Sequence, residues 1–102
     1  MTEEQTALML KQYSKVIAYI QAIEEPMLSV IMKNMIDRVH PFMQPHVLER
    51  MTERDFMVIY TDLVGMCKVK NTTDAARIGD QYKNNQSTPG TQKAWKLVNK
   101  KS

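Results

Sequence analysis

Cysteine, glycine, histidine and aromatic residues are all scarce in this chain of 102 residues. A single cysteine, Cys67, excludes an internal disulfide framework and fits a reducing compartment. Three glycines, Gly65, Gly79 and Gly90, stand too far apart to build a phosphate-cradling loop in the usual way. Both histidines, His40 and His46, adjoin prolines, and no Ser-His-Asp arrangement stands out. No apolar run approaches the roughly 18 residues of a membrane span. The opening Met1-Thr2-Glu3-Glu4-Gln5 places no basic region before an apolar stretch, so no signal peptide is expected. These absences point to a soluble, cytoplasmic protein that is not an enzyme. Neither a cofactor, a membrane nor a small-molecule substrate is expected.

What the chain has is methionine, nine residues of it, and an uneven charge. Residues 1–67 carry six Lys/Arg against nine Asp/Glu, while residues 68–102 carry eight against two. The apolar residues divide the other way, with 35 of 44 in the first part. One domain is therefore expected, with a hydrophobic helical body over 1–70 and a basic, polar segment over 71–102. A chain of this length buries roughly 60–70% of its unfolded surface, enough for one modest core.

Helical spacing dominates. Thr2-Glu-Glu-Gln5 matches a capping box, in which the Thr hydroxyl and the Gln side chain satisfy free amides of a first helical turn. Met9, Tyr13, Val16, Ile20, Ile23 and Met27 then alternate steps of four and three, widened by Leu10 and Ile17. A helix from about Thr2 to Glu25 follows. Pro26 either kinks one long helix or opens a new one, where its missing N–H costs nothing. Leu28, Ile31, Met32, Met35, Ile36 and Val39 form the next apolar face, which should end at His40 because a residue before proline is pushed out of the α region. A further helix can start near Pro45. Thr52-Glu-Arg-Asp55 is a second start signal, with Met51 and Phe56 placed as a hydrophobic staple. Phe56, Tyr60, Leu63 and Cys67 repeat the four-three spacing. The run Phe56-Met-Val-Ile-Tyr60 could alone pass for a strand, but spacing and caps favour a helix. Beyond Lys70, Thr72 or Thr73 can cap a short helix from Asp74 to about Lys83. Asn84 to Gly90 is turn or loop chemistry, and Thr91 can cap a last helix carrying Trp95 and Val98. The fold expected is all-α: a small bundle of four to five helices, long at the N-terminal end and short in the basic third.

His40-Pro-Phe-Met-Gln-Pro-His46 is the obvious candidate for chemistry. Asp37 and Glu49 stand three residues outside the two histidines, a spacing that puts each carboxylate and imidazole on one helical face. Helical di-metal sites use such units. They also need further inward carboxylates, whereas Glu24 and Glu25 adjoin a proline and Asp62 stands alone. A zinc site commonly uses several cysteines. The simpler reading is a stiff corner with no metal, His40 closing one helix and His46 opening the next, at ends of opposite polarity. Cys67, at an apolar helical position, reads as core.

Two features point to partners. The second helix is apolar on more than one side, so Met27, Val30, Met32, Met35 and Met43 are candidates for an interface with another protein or a second copy of the chain. The basic third could hold phosphates through Lys68, Lys70, Arg77, Lys83, Lys93, Lys96, Lys100 and Lys101, with Trp95 stacking a base. Small, helical, Met-rich chains with a basic tail resemble the accessory regulators carried by phages and mobile elements. That resemblance implies a non-catalytic regulatory module with a macromolecular partner. Nucleic-acid binding by the basic segment is the alternative.

Overall fold

A computed structural model describes residues 2–86, with side chains described for 2–80. The described residues form an all-α fold without strands. Five α-helices occur among them: α1 (Glu3–Gln21), α2 (Pro26–Val39), α3 (Pro45–Leu48), α4 (Glu53–Met66) and α5 (Thr72–Gln86). A 3₁₀ turn, His40–Met43, joins α2 to α3.

Each long helix starts where a side chain can take up free amides. At α1 the Thr2 hydroxyl accepts from the Gln5 amide at 3.1 Å, and the Gln5 side chain accepts from the Thr2 amide at 3.0 Å. Glu3 and Glu4 lie at the positive pole of this helix. At α4 the same reciprocal pair is Thr52 and Asp55, at 3.1 and 3.4 Å. Met51 and Phe56, on either side of that cap, are both buried, as a hydrophobic staple requires.

The α1–α2 boundary differs from expectation. α1 stops at Gln21, four residues short of Glu25, and α2 is a separate helix. The Glu25 carboxylate explains the break. It accepts from the amides of Met27 (3.1 Å) and Leu28 (2.6 Å), so Glu25 is a cap and cannot also be the last turn of α1. Pro26 takes the first helical position.

The His40 expectation is corrected in a detail. α2 ends at Val39, but His40 keeps α-region angles (φ −48°, ψ −45°) although Pro41 follows. The chain tightens into the 3₁₀ turn instead of leaving the helical region. Burial of Phe42 and Met43 and a 2.8 Å hydrogen bond between the His40 ring and the Tyr13 hydroxyl outweigh the local preference.

α5 also differs. Its cap is Asn71, whose side chain accepts from the Asp74 amide at 2.9 Å, while Asp74 accepts from the Lys70 amide at 3.2 Å. The helix then runs through Asn84, Asn85 and Gln86, which composition alone suggested as loop. The last short helix expected after Thr91 lies outside the described residues.

α1 packs on α2 and α4, and α5 packs on the same two helices from the other side. Met9, Val16 and Ile20 of α1 meet Leu28, Met32 and Val39 of α2 and Phe56, Ile59, Leu63 and Met66 of α4 in one buried cluster. α5 contributes Ala75 and, partly buried, Ile78. Ile78 sits tightly against α4, since a Cβ on Gly65 would lie 3.0 Å from its Cδ1. Two long-range bonds tie α1 to the end of α4: Gln12 Nε2 donates to Cys67 Sγ at 3.3 Å, and the Tyr19 hydroxyl donates to the Val69 carbonyl.

Candidate interaction surface

The five apolar residues singled out for an interface divide into two groups. Met27 and Val30 are exposed, at 62% and 55%. They stand three residues apart in α2, hence on one face. Met32, Met35 and Met43 are buried at 0%, 7% and 7% and belong to the core of the monomer. The correction has a simple geometric reason. Met32 and Met35 share the turn-by-turn phase of Leu28, Ile36 and Val39, whereas Met27 and Val30 fall on the other side of the helix.

The outer side of α2 borders a cleft of about 310 Å³ between α2 and α5. Ile31 and Met35 line it from α2, and Ala75, Ala76 and Gly79 from α5. Gly79 faces Met35, and a Cβ there would make ordinary van der Waals contact, 3.5 Å, with Met35 Sδ. Arg38 and Asp80 also line the cleft. Ile31 is half-buried and stands four residues after the exposed Met27, on the same side of α2.

A larger open groove, about 730 Å³, lies between the first turns of α1 and the proline corner. Ala7, Leu10, Met43 and Leu48 give it an apolar lining, and Glu3 and Glu49 add two carboxylates. No cationic side chain lines it among the described residues. Leu10 is 41% exposed although it widens the apolar stripe of α1. The sequence showed that stripe but not the groove, because the groove exists only once the corner folds back under α1.

Of the basic residues, Lys68, Lys70 and Arg77 are exposed around the α4–α5 junction. Arg77 pairs with Asp74 at 3.5 Å. The side chain of Lys83 and all of Lys93, Trp95, Lys96, Lys100 and Lys101 lie outside the described residues.

The proline corner brings His40 to α1 rather than to a metal-ligand set. His40 Nδ1 shares the hydrogen bond with Tyr13, and Gln44 Nε2 lies 3.4 Å from His40 Nε2. Burial, and secondly the Asp37 carboxylate, push the Tyr13 phenol above its ordinary value. His46 lies in the short α3, its Nε2 buried without a hydrogen-bond partner among the described residues. Among those residues, no three His, Cys, Asp or Glu side chains come together as a metal site. Cys67 is half-buried at the end of α4. Burial pushes its thiol up, against the lowering pull of the Gln12 bond and Lys15, which leaves it protonated at neutral pH and a poor nucleophile.

No protein-family model matches the chain, and no curated protein or solved structure matches it. The reading of its surface therefore rests on the geometry above. Asp62, buried on α4, was not visible as a core residue in the sequence. Its spacing from Ile59 and Met66, three residues before and four after, is the signal that could have found it, because the face that buries them buries Asp62. Among the described residues no helix is long and apolar enough to cross a membrane.

Proposed function

We propose that this protein is a non-catalytic interaction or regulatory module that binds a macromolecular partner through the outer side of α2. One observation carries the reading. Met27 and Val30 stay exposed on one face of a helix whose opposite face is fully packed, and Ile31, one turn beyond Met27, lines the α2–α5 cleft. Large apolar side chains scattered singly on a surface need no explanation, but neighbours on one face beside a cleft form a patch. Methionine suits such a surface because its unbranched side chain adapts to different partners. The partner is another protein or a second copy of this chain, and a role like that of phage or mobile-element accessory regulators fits such a module.

A photo-crosslinkable residue in place of Val30 tests this in cells. Covalent adducts of one defined mass, lost when Met27→Lys is added, are the expected result. A protein that stays monomeric by light scattering and yields no adduct at Val30 overturns the reading.

Nucleic-acid binding is the second reading, favoured by the exposure of Lys68, Lys70 and Arg77 around one helix junction. Affinity for a short duplex or single strand should then fall steeply with salt, and K68A/K70A should flatten that slope. Undetectable binding at low salt removes it.

A further inference from the structure

We infer that the groove between α1 and the proline corner is a docking site for the chain's own basic segment, residues 91–101. The groove offers an apolar lining with two carboxylates, Glu3 and Glu49, and no cation among the described residues. Residues 91–101, Thr-Gln-Lys-Ala-Trp-Lys-Leu-Val-Asn-Lys-Lys, have the complementary chemistry. They hold four lysines and no acidic residue, with Ala94, Trp95, Leu97 and Val98 among them. At helical spacing, Ala94, Leu97 and Val98 fall on one face, and Trp95, three residues before Val98, borders it. Acidic groove and basic amphipathic segment thus match in both charge and apolar content, as a helix laid in a groove requires.

The course of the helices brings the segment to the correct end of the molecule. Val69, just past α4, is held by Tyr19 near the end of α1, so α5 starts at the end of the molecule opposite the first turn of α1. α5 then packs back along α4 and α2: Ile78 meets Gly65 of α4, and Gly79 meets Met35 of α2. Its 15 residues advance about 22 Å toward the groove end. The four residues 87–90 can bridge roughly a further 13 Å when extended. Tethering keeps the local concentration of the segment high, so a modest groove can hold it.

Docking would occupy Lys93, Trp95 and Lys96 in the same protein for which those residues were candidate phosphate contacts. The inference does not depend on the α2 surface, which uses other residues.

Trp95 is the one tryptophan of the chain, so its fluorescence reports the segment directly. In the full-length protein its emission should be blue-shifted relative to free indole and poorly quenched by acrylamide. Leu10→Glu, at an exposed groove position, and the pair E3K/E49K should each shift the emission to the red and raise quenching severalfold. Their circular dichroism should stay unchanged. Met57→Lys, exposed on α4 and outside the groove, should leave Trp95 unchanged. Emission that is already water-like in the unaltered protein overturns the proposal. So does burial of Trp95 that is indifferent to both groove variants. Burial that appears only as protein concentration rises assigns the occupant to a second copy and also overturns docking within one chain.

Discussion

Met27 and Met32 stand five residues apart on the same helix, and one is 62% exposed while the other is fully buried. Residue type is identical, so the difference comes from phase alone. Leu28, Met32, Met35, Ile36 and Val39 share the face turned to α1 and the core, and Met27 with Val30 fall outside it. A methionine count therefore says little about function until each residue is assigned to a face. Inside, the thioether chain fills space between helices. Outside, the same flexibility suits a contact surface.

The largest effect that would break this contrast is truncation of the two methionines. Met32→Ala should lower unfolding free energy by about 2–5 kcal/mol, whereas Met27→Ala should stay within roughly 0.5 kcal/mol. Denaturant melts of both variants check it, and similar losses would mean that the two faces are not distinct. Next in size, Glu25→Ala removes the cap that separates α2 from α1 and should cost on the order of 1 kcal/mol. Glu25→Asn should restore most of it, which separates capping from loss of charge. A smaller effect sets the buried side of α1 apart from its wet side through pH. Tyr13 and Cys67 hold their protons more tightly when folded than at their ordinary values of 10.0 and 9.0, mainly through burial. The stability they contribute is whole below pH 9 and is lost as pH rises through that range and beyond. Melts at pH 7 and about pH 10.5 should show the fall, and Y13F/C67A should reduce it. The smallest expected change is in Thr52→Ser, which keeps the hydroxyl that accepts from Asp55 and should be near neutral by the same melts.

Most helix starts were legible because they depend on contacts within four residues. Thr2 with Gln5 and Thr52 with Asp55 form the bonds that their spacing suggested. Misplaced boundaries had a different cause. At Glu25, Asn71 and His40 more than one local solution satisfied the backbone, and a capping carboxylate, a capping amide and a tertiary bond to Tyr13 made the choice. Which methionines would be exposed was legible only in part. The periodicity of α2 is clear, but its apolar residues occupy so much of the circumference that only the positions of α1 and α5 decide what remains outside. The groove beneath α1 was not legible at all, since residues 3–10 and 43–49 form it across a chain reversal that spacing does not encode.

The hydrogen bond from Tyr19 to Val69 spans 50 residues, and its consequence falls during synthesis. When α1 leaves the ribosome, α2 follows soon and can cover one of its sides. The side that meets α4 must wait for residues up to Val69. At roughly 5–20 residues per second that is about 3–10 s, during which Met9, Val16 and Ile20 are only partly covered. The nascent chain thus passes through a sticky, two-helix stage that the finished protein never shows, and chaperone demand should be greatest there.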